Sequence, residues 1–187
     1  MALVYVVLGV LVLLVVAYIL INNSLVGARN KCDEAWSGID VQLKRRHDLV
    51  PNLVETVKGY AAHEQQTLSR VTDARAGAVA AQNAPPAERA QAESQLSSAL
   101  GGIHAVAEQY PQLRSADNFM RLQAQLAEVE DEIQAARRIY NSNVQIYNTR
   151  MQVFPNSIVA ARGGFLPREF FEIETPADRE VPQVSFS

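Results

Sequence analysis

The chain has 187 residues, a length suited to one domain of ordinary size, and its richness in Ala, Leu, Val, Gln and Arg leans to an all-α fold. Seventeen Lys and Arg against 20 Asp and Glu give a net charge of −3, and no basic run is long enough to neutralise many phosphates, which excludes a nucleic-acid surface. A single cysteine, Cys32, excludes an intramolecular disulfide.

The first element is apolar throughout. Leu3 to Ile21, LVYVVLGVLVLLVVAYILI, contains no charged residue. At about 1.5 Å per residue it spans roughly 28 Å, close to the hydrocarbon thickness of a bilayer. No Lys or Arg precedes this core, the core is long, and no small-residue cleavage site follows, so it reads as an uncleaved signal-anchor rather than a signal peptide. Tyr5 and Tyr18 lie near its two ends, where amphipathic rings favour the interface. Arg29 and Lys31, then Lys44, Arg45 and Arg46, follow the span. The positive-inside rule therefore puts the N-terminus outside and the bulk in the cytoplasm, at the cell (inner) membrane. The margin rests on the two nearest charges, and the alternative leaves the bulk on the extracytoplasmic side.

Next comes a long periodic run. Trp36, Ile39, Leu43, Val50, Leu53, Val54, Val57, Tyr60, Ala61, Leu68 and Val71 recur at three- and four-residue steps, one face of a helix. Gly77 and Pro85-Pro86 mark a loop, and Pro86 opens the next helix at its first turn. That helix covers roughly residues 86–110, with Ala92, Leu96, Leu100, Ile103, Ala107 and Tyr110 as its stripe. A corner follows in YPQLRSADN, with Ser115 or Asp117 as N-cap. The last long helix carries Phe119, Leu122, Leu126, Val129, Ile133, Ala136, Tyr140, Val144, Tyr147 and Met151 and ends before Pro155. A short helix then begins at Asn156 as N-cap and stops at Gly163. The tail that follows has no helical period, yet Phe165, Phe170, Phe171, Ile173, Val181, Val184 and Phe186 make it apolar. It is expected to lie extended on the bundle or on a neighbouring subunit.

Helix length bears on Pro51, which sits inside the first periodic run. If residues 24–82 were one helix, the next, of about 25 residues, would return only partway. A turn at Arg45–Pro51 instead yields four helices in an antiparallel up-and-down bundle, with Asp48 capping the second helix and Pro51 in its first turn, where a missing N–H costs little. The rival is a kinked continuous helix, which keeps the apolar register unbroken; length favours the turn. The expected organisation is an anchor at 1–23, a helical bundle at 24–154, and a short helix with an apolar tail at 155–187.

Several blocks taken together resemble one known family: NNSLVGARN, EAWSGIDVQLKRRHDLVPNLVETVKGYAAHE, VTDAR, EQYPQLRSADNFMRLQAQL, RRIYNSNVQIYNT, FPNSIVA and FFE. In this order, over almost the whole chain, they resemble the LemA family of bacterial membrane proteins. The resemblance implies a single N-terminal membrane helix and a four-helical soluble domain, which favours the turn near Pro51. It implies no catalytic activity; some relatives are linked to membrane remodelling or organelle membranes, others to neighbouring membrane proteases.

Candidate chemistry is sparse. His63-Glu64 resembles the start of H-E-x-x-H, but position 67 is Thr67, so the second imidazole is absent, and His47 and His104 lie far along the chain. No Glu has a His three residues later, as a di-iron bundle requires. Glu64 and Glu130 fall at similar depth in the bundle, and two carboxylates alone would take a hard cation or share a proton. The structural account is stronger. Glu64 falls on an apolar stripe, Glu130 and Arg137 flank Ile133, and Asp40 and Arg46 flank the first stripe. Such groups are costly to bury alone and should pair in an internal polar network. Tyr140-Asn141 and Tyr147-Asn148 recur two turns apart on one side of the last helix, a packing or partner face. A pocket there would make the protein a ligand sensor; a metal hydrolase is the remote third class. Phe165, Phe170 and Phe171 are the candidates for oligomer or membrane contact. The expectation is a non-enzymatic scaffold without cofactor or catalytic residues. Its expected partners are membrane lipid, further copies of itself and other membrane proteins.

Overall fold

The computed structural model describes residues 1–172; the expectations placed on Ile173, Val181, Val184 and Phe186 lie outside the described residues. The chain is helical, with no strand among the described residues. Its elements are α1 (Ala2–Tyr60), α2 (Gln65–Ala80), a 3₁₀ turn (Ala81–Asn83), α3 (Pro86–Gln109), α4 (Pro111–Arg114), α5 (Asp117–Gln152) and α6 (Asn156–Arg162).

Proline and glycine set most boundaries. Pro86 occupies the first turn of α3, where its missing N–H is no loss. Pro111 ends α3 and opens α4. Asp117 lies in the first turn of α5, where a carboxylate complements the helix dipole. The N-cap of α6 is Pro155 rather than Asn156, and its C-cap is Gly163. Gly164 follows at φ +65°, and the Phe165 N–H reaches back to the Ala160 carbonyl at 3.1 Å. That is a Schellman ending, which needs a left-handed residue and hence a glycine.

Pro51 corrects the sequence reading. The chain does not turn at Arg45–Pro51: α1 continues through it, so Asp48 is an exposed mid-helix residue and not a cap. A mid-helix proline deprives the carbonyl four residues back of its N–H donor. Here that carbonyl belongs to His47, and Arg75 Nε donates to it at 2.7 Å. The turn falls later, at Ala61–Glu64, closed by a bond from the Glu64 N–H to the Ala61 carbonyl at 3.1 Å.

The chain forms two compact units. The first comprises Met1–Asp40 and Gln134–Phe170, the second Val41–Ile133 with Phe171 and Glu172. In the second unit, segments of α1, α2, α3 and α5 share one core: Val50, Leu53 and Val57 meet Leu68, Val71, Leu96, Ile103 and Phe119. Gly102 of α3 packs close to Thr67 of α2; a Cβ there would lie 3.3 Å from the threonine methyl. In the first unit α1 and α5 run antiparallel, with Asn143 donating to the Lys31 carbonyl at 3.1 Å and Arg150 to Ser24 at 3.1 Å. Leu25, Val159 and Ala160 form a small cluster there, joined by Ile21, Met151 and Phe165.

The length argument erred because it gave every helix the same height. The short α2 and α3 belong to the second unit alone, so nothing requires them to match α1.

Candidate functional site

The second unit encloses a charged cluster. Arg46 of α1 is 1% exposed and Glu93 of α3 is fully buried. Each falls on a buried helical face, Arg46 beside Leu43 and Val50, Glu93 one turn before Leu96. The Arg46 Nη2 pairs with Glu93 Oε2, and its Nη1 donates to Ser97 Oγ and to Glu130 Oε2, each at 2.9 Å. His47 Nε2 lies 2.9 Å from Glu93 Oε1. At the edge, the exposed Arg45 pairs with Glu128 at 3.4 Å. Burial opposes ionisation of Glu93, but the hydrogen bond from His47 and the charge and hydrogen bonds of Arg46 outweigh it. They hold the carboxyl below its usual range. An ionised carboxylate only accepts, so His47 Nε2 carries the hydrogen of their bond.

This cluster joins two residues singled out in the sequence, Arg46 and Glu130. Glu64 is elsewhere in the unit, accepting from Tyr110 Oη at 3.1 Å, and that hydrogen bond is the main reason the Tyr110 phenol is pushed up. Glu64 and Glu130 therefore serve different partners and share no site. Asp40 and Arg137 are half-buried in the first unit, each with interactions of its own. His63 is exposed. Among the described residues no group of three or more His, Cys, Asp or Glu side chains is placed to hold a metal ion. Glu93, His47, Ser97 and Arg75 were missed. The signal for Glu93 was its seven-residue spacing from Leu100, ten from Ile103 and fourteen from Ala107; placing Ala92 on that stripe shifts the helix by one residue.

The first unit holds a second constellation, on the Tyr-Asn face of α5. Tyr140 Oη donates to the Glu169 carbonyl at 2.9 Å and Tyr147 Oη to the Leu166 carbonyl at 3.0 Å. Asn148 grips the peptide at Arg168 from both sides, Nδ2 to its carbonyl and Oδ1 from its N–H, each at 2.9 Å. Arg168 Nη2 also meets Asp33 of α1 at 2.6 Å, and Trp36 of α1 lies against Tyr140 with ring centroids 5.0 Å apart. Burial pushes the Tyr140 phenol up to about 12 and raises that of Tyr147, so both stay protonated donors. Asn141 is half-buried with contacts of its own. The face thus holds the chain's own residues 166–169 rather than an open pocket.

The phenylalanines separate. Phe171 is fully buried within the chain, which removes it as an intermolecular contact. Phe165 is half-buried beneath the Arg29 guanidinium, 5.6 Å from the ring centroid. Phe170 is 41% exposed.

Comparison with known proteins places these features in context. Residues 35–186 match the model of the LemA family. Two magnetosome proteins from Paramagnetospirillum magneticum, MamQ 1 and MamQ 2, are each 29% identical over 78% of this chain and 62% of their own length. MamQ from Magnetospirillum gryphiswaldense is 27% identical over 79% of this chain and 64% of its own. Protein LemA from Metamycoplasma hominis is 28% identical over 75% of this chain and 64% of its own. The chain thus spans less than two thirds of the length of these curated relatives.

Proposed function

The chain belongs to the LemA family, and from that premise we propose that it is a membrane-anchored, non-enzymatic scaffold that assembles with further copies of itself. The observation that carries the anchoring is the first part of α1. Its charge-free run from Leu3 to Ile21 is exposed to the surroundings along almost its entire length, and only an apolar solvent accommodates such a helix. The bulk, an antiparallel helical bundle in this reading, lies on the cytoplasmic side of the bacterial cell membrane, following Arg29 and Lys31.

Self-association is supported by α5. Ile139 and Ile146 are exposed and spaced by seven residues, which aligns them along one side of the helix. Anchoring in one plane raises the local concentration of copies in a common orientation. A second copy offers the same row and is the partner proposed for it; other membrane proteins are the alternative occupants. The structural use of the buried groups supports the non-enzymatic reading, since Arg46, Glu93 and Glu130 are engaged with one another.

Two measurements test the proposal. The mass of the full chain in mild detergent is expected to be a multiple of the monomer and to fall to the monomer in Ile139→Asp/Ile146→Asp; a monomeric parent chain rejects self-association. Protease added to spheroplasts is expected to leave the bulk intact, and digestion of intact spheroplasts' protein rejects the cytoplasmic placement.

A further inference from the structure

We propose that the corner between α5 and α6 forms a second contact with the bilayer, seated in anionic lipid beside the span. The inference rests on the span reading above.

Register supplies the depth. Asn143 meets Lys31 and Arg150 meets Ser24, seven residues further along α5 and seven back along α1. Carrying that antiparallel register two residues further brings Gln152, the last residue of α5, level with Asn22, beside the charge-free run that ends at Ile21, and Phe154 follows in the corner. The cluster of Leu25 with Val159 and Ala160, joined by Ile21 and Met151, independently holds both sides of the corner at that level. Beyond the corner the chain moves away again, as Phe165 meets Arg29 and Arg168 meets Asp33. Residues 153–158 therefore form the part of the first unit outside α1 that lies nearest the bilayer.

The exposed chemistry fits that position. Phe154 is 80% exposed, and Val153 and Ile158 are each about half exposed. Exposed aromatic and aliphatic groups beside a membrane helix bury into the headgroup and acyl boundary. The charges are of one sign: residues 20–32 and 143–167 contain Arg29, Lys31, Arg150 and Arg162 and no Asp or Glu. Above the corner, Ser24, Lys31, Asn143 and Arg150 line a groove of about 300 Å³ between α1 and α5. Two cations with hydroxyl and amide groups suit a lipid phosphate.

The test uses the full chain in vesicles of phosphatidylcholine, with or without phosphatidylglycerol, carrying one tryptophan at a time in a Trp36→Phe background. Phe154→Trp should emit to the blue of a solvent-exposed tryptophan. It should be quenched by lipid brominated near the glycerol end of its acyl chains, more strongly with phosphatidylglycerol present. Adding Lys31→Gln and Arg150→Gln should abolish that dependence; an unchanged dependence overturns the groove's part. Tyr18→Trp reports the span itself. If Tyr18→Trp is quenched while Phe154→Trp emits as in water, the second contact is overturned and the span stands. If neither is quenched, the span reading fails, and the second contact with it.

Discussion

Arg75 Nε donates to the carbonyl of His47 at 2.7 Å, and that carbonyl is the one Pro51 leaves without a donor. A side chain on α2 thus repairs the backbone of α1. Proline inside a helix costs about 3 kcal/mol or more, part of it the lost hydrogen bond. A side-chain donor recovers that part and leaves the steric part. The pair is expected to behave as a unit. Arg75→Ala should destabilise the chain by about 1–3 kcal/mol, the cost of an unsatisfied buried acceptor. In a Pro51→Ala background residue 51 regains its N–H, and the same substitution should cost much less. Additive effects in a thermal or denaturant double-mutant cycle would show that Arg75 acts elsewhere.

The buried cluster makes a sharper demand. Glu93→Gln leaves Arg46 with the part-exposed Glu130 as its remaining carboxylate partner, and should cost about 2–4 kcal/mol. The joint change Arg46→Met/Glu93→Leu removes both charges and should cost less than Glu93→Gln alone. Equal losses in urea unfolding would mean that the charge pairing is immaterial.

Acid stability follows from the same carboxylate. Glu93 is held below its usual value of 4.5, so the native state prefers the ionised form more than the unfolded chain does. Its contribution is present above 4.5 and is lost as pH falls below it, through the folded-state value. A pH titration of unfolding free energy should lose stability in that acid range, and Glu93→Gln should flatten the loss. A variant that follows the parent curve would assign the acid sensitivity to other carboxylates.

The C-terminal segment has its own weak points. Gly164 at φ +65° suits glycine, and Gly164→Ala should cost about 1–2 kcal/mol through the left-handed backbone alone. Asn148→Ala removes both bonds to the main chain of Arg168. Each variant should speed amide exchange at Arg168 and proteolysis within residues 165–172. Unchanged protection at Arg168 in Asn148→Ala would show that the tyrosine bonds suffice.

What was legible in the sequence had local causes. The stripe Leu43, Val50, Leu53 and Val57 is periodic in its own right, and α3 opens where Pro86 permits and stops at Pro111. Whether α1 survives Pro51 was not local. It depends on an arginine 28 residues beyond the orphaned carbonyl, which no window around the proline contains. The polar network was legible from the α1 and α5 sides, where Arg46 and Glu130 sit beside clear apolar stripes. Its α3 partner was lost because alanine is compatible with either face of a helix, and Ala92 drew the stripe one residue away from Glu93. The clasped segment was hidden for a different reason: Tyr140, Tyr147 and Asn148 have no complementary residue type to be matched with.

That last feature has a further meaning. All four bonds made by Tyr140, Tyr147 and Asn148 end on main-chain atoms of residues 166, 168 and 169. Three side chains read an extended peptide by its shape and spacing, whatever letters it carries. Leu166 and Glu169 are thereby free to be replaced while the clasp keeps its grip. A homologue is expected to preserve the reader on α5 and let the clasped text drift.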